Sequence, residues 1–328
     1  MTSSAPTAFI DTIELPAPET KQRFNLTFST RALAGWTWNG TVIRGAHDGP
    51  RLALISGVHP TEYPAIEANI RLTRQIDPGE LHGTIVSLPI IDVPAFYTRS
   101  PFVCPIDGKN PNRFFPGDPN GTFTDIMDDA IFRAVIAPSD ALVDLHGGDL
   151  VEALEPFAIY AKSGNVEVDA ASEAMGLAMG LPYLIEHTPT PGALGGMTVQ
   201  AASAAGIPAI LPEAGGCGLL TEPETGMLVD GVMNVLRHFG MLSEPARDMP
   251  QPKRITEFTW LFAPVEGMWY PAVRVGERVR DGQTIGRVAN LYGDDLAQVT
   301  APHDGDVLFI TTSPAMKESG ILLAVGRR

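Results

Sequence analysis

Residues 51–62 read Arg51-Leu-Ala-Leu-Ile-Ser56-Gly57-Val-His59-Pro-Thr-Glu62. The first six form a short apolar run closed by glycine, the pattern of a strand buried on both faces. Residues 65–76 follow with apolar side chains at helical spacing, and Gly83-Thr-Ile-Val-Ser-Leu-Pro-Ile-Ile91 is a second buried strand. Strand, helix, strand is one βαβ unit, so an α/β fold built on a mixed sheet flanked by helices is expected. The alternation continues downstream. A helix over 124–136, with Thr124 as N-cap and acids in its first turns, leads to the strand Ala141-Leu-Val-Asp-Leu145. Helix 168–179, strand 183–186, helix 198–205, strand 207–211 and helix 227–239 follow, the last stopped by Gly240. Upstream, the first forty residues are poorly patterned apart from an alternating strand at 24–28.

Between these elements, 92–121 is dense in Pro, Asn, Asp and Gly. It is too irregular for an element and too long for an idle connection, so it is expected to carry function. Residues 243–252, Ser-Glu-Pro-Ala-Arg-Asp-Met-Pro-Gln-Pro, read as a linker. Beyond Thr256, short β-rich runs are punctuated by Gly267, Gly276, Gly282, Gly286, Gly293 and Gly305, which suits a small all-β module. The expected division is therefore 1–245 and 254–328. Ala263-Pro-Val-Glu-Gly267 and Ala301-Pro-His-Asp-Gly305 are two copies of one turn, and the module resembles the biotinyl/lipoyl-type barrel. In that fold a carrier lysine lies a few residues before the second Ala-Pro. Here the position falls on Asp294, which excludes a carrier role and leaves a structural or gating one.

Composition bounds the function classes. The chain has 328 residues, 44% of them hydrophobic and 19% charged, enough to bury a substantial core and too apolar for a disordered polymer. Its net charge of −15 repels phosphate backbones and anionic lipid, so nucleic acid and membrane are poor partners. The first twenty residues lack the basic n-region of a secretory signal, and Cys104 and Cys217 are too few for a disulfide framework or a cysteine-rich zinc site. A reducing cytoplasm is expected. The 33 glycines and 29 prolines make up about a fifth of the chain, against an ordinary share of ~12%, and call for many tight turns.

Four stretches carry residues able to do chemistry. His59 and Glu62 follow a buried strand, where α/β sheets place their sites, and a three-residue spacing lets both point to one cation. Read alone, the pair is more simply a loop histidine beside a solvated acid at a helix start. His146, in Asp144-Leu-His146-Gly-Gly-Asp149, emerges at the end of another strand and completes a His₂Glu set of the kind that holds catalytic zinc with an open fourth position. Asp144 either orients that histidine or is a structural acid. Glu213 ends a third strand at Glu213-Ala-Gly-Gly-Cys-Gly218, where it could act as a base over a metal-bound water or serve as a paired structural acid. Finally Asn112 and Arg113, in Asn110-Pro-Asn112-Arg113-Phe-Phe-Pro-Gly117, offer a guanidinium fork and an amide to a carboxylate, or a surface turn.

The ordered set Gly-x-His-x-x-Glu, Asn-Arg-x-Phe-Pro-Gly, Asp-x-His and Glu-x-Gly-Gly-x-Gly, over roughly residues 40–240, resembles the succinylglutamate desuccinylase/aspartoacylase group of carboxypeptidase-like zinc hydrolases. The resemblance implies one Zn²⁺ per chain on His59, Glu62 and His146, with Glu213 as general base and acid. It also implies that Asn112 and Arg113 grip a substrate carboxylate, and that Arg99 polarises the scissile carbonyl. Two positions depart from the group's pattern. Pro60-Thr61 replace the usual Gly-Asp or Gly-Asn, and Pro111 replaces a leucine, which reshapes the pocket wall without removing a ligand.

The reaction expected is removal of an acyl group from a small N-acyl amino acid or amine. A metallocarboxypeptidase acting on short peptides, and a catalytically silent small-molecule-binding protein, stand as alternatives. Specificity is expected to reside in loops such as 188–196. Trp260, Trp269 and Tyr270 are read as core of the β module rather than as an oligomer interface, which leaves a homo-oligomer open.

Overall fold

A computed structural model describes residues 5–188 and 196–328, so the interior of the 188–196 loop lies outside the described residues. The first part of the chain runs β1 (Thr7–Ile10), β2 (Thr20–Thr27), β3 (Trp38–Arg44), β4 (His47–Ser56), α1 (Tyr63–Gln75), β5 (His82–Leu88), α2 (Val93–Thr98), α3 (Phe123–Ile131) and β6 (Ala141–Leu145). It continues through β7 (Glu152–Leu154), β8 (Phe157–Ala161), α4 (Val166–Met179), β9 (Tyr183–His187), α5 (Thr198–Ala204), β10 (Ala209–Glu213), α6 (Glu222–His238) and β11 (Lys253–Ile255). Ten strands form one mixed sheet in the order β1-β2-β3-β5-β4-β6-β10-β8-β9-β11.

Alternation along β4 explains the layers. Leu52 and Leu54 pack with α1, α4 and α6 on one face, whereas Ala53 and Ile55 pack with α3 and α5 on the other. All four are at most 1% exposed, and each leucine or isoleucine so buried contributes about 1.5–3 kcal/mol. Helix α1 is pinned by a polar side chain as well. Asn69 donates to Leu54 O, Ser56 Oγ and Leu88 O, each at 3.2 Å, and accepts from Ser87 Oγ at 2.5 Å. These bonds fix the carboxyl ends of β4 and β5, from which the functional loops depart.

Strands β5, β4, β6 and β10 are mutually parallel, while β8 runs antiparallel to β10. Strands β3 and β8, at 38–44 and 157–161, are left unassigned by the sequence reading. The expected N-cap at Thr124 is corrected. Helix α3 begins two residues earlier, with Thr122 as cap, and Thr122 N–H donates to Asp125 Oδ2 at 2.7 Å. The Thr124 hydroxyl instead donates to Asp107 at 2.7 Å, tying the long loop to the helix. Nor is 92–121 wholly irregular, since it holds α2 and the short turn Pro111–Arg113.

The remaining strands are β12 (Glu257–Phe262), β13 (Gly267–Pro271), β14 (Arg278–Val279), β15 (Thr284–Ala289), β16 (Asp295–Thr300), β17 (Gly305–Thr311), β18 (Ala315–Met316) and β19 (Ile321–Arg327). They form two antiparallel sheets around Trp269, Val279, Ile285, Val307 and Val325, and β7 joins the edge of one by pairing with β17. Trp269 is core as expected. Trp260 is half-buried against Phe258 and Phe309, and Tyr270, next along its strand and so on the other face, is exposed beneath Arg287. Asp294 is held in the β15–β16 turn by Asn290, whose side chain donates to it at 3.0 Å. No helix among the described residues is long and apolar enough to cross a membrane.

Asp92 caps α2 through Oδ1, which accepts from Ala95 N–H at 3.1 Å, while its Oδ2 is buried without a partner. Burial pushes this carboxyl up to about 6. Its ionised form is therefore penalised in the fold, a penalty absent below the unfolded value of 3.8 and complete above about 6. Asp92→Asn keeps the capping oxygen and removes the charge. It should stabilise the protein by roughly 1–3 kcal/mol near pH 8 and by about a third of that near pH 4.5 in denaturant titrations, and an equal effect at both would contradict this account.

Candidate metal centre

The parallel register brings three strand ends to one place. Ile55 pairs with Asp144 and Ser56 with Leu145, and His146 in turn bridges Glu213. After β4 the chain turns sharply at Gly57, whose φ is +63° and where a Cβ would stand 2.9 Å from Ile90 Cα and Pro89 O. Its carbonyl accepts from Ile91 N–H at 3.1 Å and Asp92 N–H at 2.9 Å. The following turn, closed by Glu62 N–H on His59 O at 3.4 Å, puts both side chains over the sheet edge.

Donor and acceptor accounting defines the centre. His59 Nε2 lies 2.9 Å from Asn110 Oδ1, an oxygen that also accepts from Asn112 N–H at 2.9 Å. His146 Nε2 lies 3.1 Å from Asp144 Oδ2. Each imidazole therefore has an acceptor at Nε2, and a proton placed there would leave Nδ1 to offer its lone pair to a cation. The two Nδ1 atoms face the two oxygens of Glu62, each at 2.9 Å. His146 Nδ1 is buried and makes no hydrogen bond. The candidate ligand atoms of His59, Glu62 and His146 all lie within 4.8 Å of one another. Lone pairs and carboxylate oxygens converging on one buried point fit a cation, and two nitrogens with one carboxylate fit zinc's donor preferences.

Glu62 is kept ionised by its neighbours. Burial opposes its charge, but the imidazoles of His146 and His59, when charged and donating from Nδ1, outweigh that and hold it down to about 2. Its Oε2 also accepts from Gly147 N–H at 3.0 Å, and a Cβ on Gly147 would meet Ala214 O at 2.4 Å. Only glycine lets these backbones approach.

Glu213, at the end of β10, is tuned in the opposite direction. Burial and the neighbouring charge of Glu62 push its carboxyl well above the usual range, against the pull of His146, and its Oε2 is buried without a partner. Glu152 is raised too, chiefly by burial. Its backbone is tied to the glycine-rich chain after Glu213, where Glu152 O accepts from Cys217 N–H at 2.7 Å. Arg113 is the counter-charge. Burial lowers its guanidinium while Glu213 and Glu152 raise it, and its Nη1 donates to Asn112 O at 2.6 Å. Buried Asn112 accepts at Oδ1 from Thr198 N–H at 3.0 Å, which leaves its amide N–H groups as the donors free to face a ligand. Arg99 stands apart. It ends α2 in left-handed conformation, φ 53°, with an exposed side chain that has no partner among the described residues.

Several contributors escape the sequence reading. Asn110 lies inside the quoted Asn-Pro-Asn-Arg stretch, and its place beside His59 could have been guessed from that motif. Asp149 accepts from Thr61 Oγ1 at 2.5 Å and Phe102 N–H at 3.0 Å, tying the first ligand loop to the segment after Arg99. Thr61, one of the two departures from the family's pattern, is thereby employed. Thr198 gives no local signal, being joined to the site only by the fold.

Residues 48–239 match the family model of the succinylglutamate desuccinylase/aspartoacylase catalytic domain. The chain belongs to the succinylglutamate desuccinylase/aspartoacylase family. Within this family it is similar to N-alpha-acetyl-L-2,4-diaminobutyric acid deacetylase of Halomonas elongata, at 28% identity over 284 residues, 85% of this chain and 82% of that one. The product-bound structure of the ectoine utilization protein EutE (DoeB) from Ruegeria pomeroyi superposes with a TM-score of 0.85 at 25% identity, covering 97% of this chain and 98% of that one. The succinylglutamate desuccinylase/aspartoacylase structure from Rhodobacter sphaeroides shares the fold, with a TM-score of 0.81 at 24% identity and coverage of 97% and 99%.

In this family member Asn110 orients His59 as Asp144 orients His146. Asn110→Ala should weaken divalent-metal affinity by roughly 10–100-fold in chelator competition, with the fold intact by circular dichroism. Unchanged affinity would contradict the assigned orientation of His59.

Proposed function

We propose that the protein is a zinc-dependent amide hydrolase that removes an acyl group from a small N-acyl amino acid or amine, with one zinc held by His59, Glu62 and His146. The observation that carries this reading is the pair of Nδ1 nitrogens, one from each histidine, turned onto the two oxygens of one buried carboxylate. When bound, zinc supplies a Lewis acid that polarises a carbonyl and lowers the pKa of water to roughly 7. Glu213 accepts the proton of the attacking water and returns it to the departing nitrogen, and a carboxyl raised above the usual range is suited to both transfers. Arg113 and the Asn112 amide grip a substrate carboxylate. Arg99 is assigned to the scissile carbonyl, a role that requires its exposed side chain to turn toward bound substrate. The deacetylase relative's named substrate, an N-acetyl amino acid, supports the same class here.

Residues 254–328 are read as a lipoyl-like β domain on a catalytic unit spanning 1–245, with a structural or gating role. Both cysteines are free thiols, which suits the reducing cytoplasm as compartment. A homo-oligomer is compatible with this reading.

The test is a screen of zinc-loaded protein against N-acetyl, N-succinyl and N-formyl amino acids. Turnover of at least one class is expected, abolished by chelation and restored by zinc. Glu213→Gln should retain the metal and lose roughly 10²–10⁴-fold in kcat, whereas His146→Ala should lose both metal and turnover. Full activity in metal-free protein would overturn the proposal.

A further inference from the structure

Thr198 is the first residue of α5 and is fully buried, yet its hydroxyl does not serve its own helix. The helix start is closed instead by Gln200, whose Oε1 accepts from Met197 N–H at 3.0 Å. The Thr198 hydroxyl donates across to Asp144 Oδ2 in a short bond, on the same oxygen that faces His146 Nε2 at 3.1 Å. Asp144 Oδ1 is buried and has no partner. Thr198 and His146 are therefore the two donors that set this carboxylate's orientation. The Thr198 backbone N–H meanwhile donates to Asn112 Oδ1 at 3.0 Å. Two residues earlier, Gly196 O accepts from Phe115 N–H at 3.0 Å, so the approach to α5 is docked on the Asn112–Arg113 loop a second time.

We propose that Thr198 is a positioning residue that locks the metal-facing imidazole of His146 and the ligand-facing amide of Asn112 to one rigid point. The inference rests on the metal-hydrolase reading above. Through its hydroxyl, Thr198 holds Asp144 in the rotamer that takes the His146 Nε2 proton and so presents Nδ1 inward. Its N–H occupies the Asn112 oxygen, so the amide can offer a ligand only its donors. One residue thereby ties the metal side of the site to the substrate side, which sequence separates widely.

The test compares zinc dissociation constants, by competition with a chromophoric chelator, for the full chain and its variants. Thr198→Val, which keeps shape and loses the hydroxyl, should weaken zinc by roughly 10–100-fold, and Thr198→Ser, which keeps it, should stay within about 3-fold of wild type. In an Asp144→Asn background, Thr198→Val should add no further loss, because its effect passes through that carboxylate. If Thr198→Val does not fold, Thr198→Ala against Thr198→Ser makes the same comparison. A hydroxyl-free variant that binds zinc like wild type overturns the proposal, as does an equal loss with and without Asp144. Wild-type protein that binds no zinc overturns the underlying metal reading instead.

Discussion

Glu62 lies buried between two imidazoles, and much of the large sheet can be understood as what it takes to keep it there. A buried carboxylate is costly unless paired. Here the pairing comes from His59, three residues earlier on the same turn, and from His146, delivered by the neighbouring parallel strand. Each histidine is held from behind by an oxygen, of Asn110 or Asp144, that fixes which nitrogen looks inward. Asn69 pins the strand ends, and Gly57 and Gly147 let the backbones close on one another. The arrangement is preorganised: the residues around it form a packed, hydrogen-bonded shell before any ligand arrives.

The same centre accounts for the contrasting behaviour of three glutamates. Glu62 touches both imidazoles and is held down, whereas Glu213 and Glu152 face carboxylates in a buried setting and are pushed up. Acids driven apart by their surroundings are suited to different tasks, one as a ligand and one as a proton carrier. The acidic net charge of the chain gives no hint of this local division. Nor does it reveal Arg113, which makes part of the site cationic within an otherwise acidic protein.

Where the physics is local, the sequence is readable. The run 51–56 is a strand because apolar residues fill both faces, and its loop is a site because strand ends in α/β sheets open onto crevices. His59, Glu62, His146 and Glu213 each follow such a run, and the fold collects them. The unread parts depend on distant partners. Strand β8 reverses direction in the sheet, which only its pairing reveals. Thr124 looks like a cap until Asp107, far back in the loop, takes its hydroxyl and leaves the role to Thr122. Thr198 is an ordinary helix residue in sequence and a junction in space. Tyr270 reads as core beside Trp269, but alternation along β13 turns it to the opposite, exposed face.

The central claim is that two imidazole nitrogens and the Glu62 carboxylate converge to hold zinc. X-ray absorption at the zinc edge of the purified, zinc-loaded wild-type protein tests it directly. The account predicts one zinc per chain in a shell of nitrogen and oxygen at about 2.0–2.2 Å, with the outer scattering of two imidazoles. A sulfur shell near 2.3 Å, or a spectrum without imidazole scattering, would contradict it.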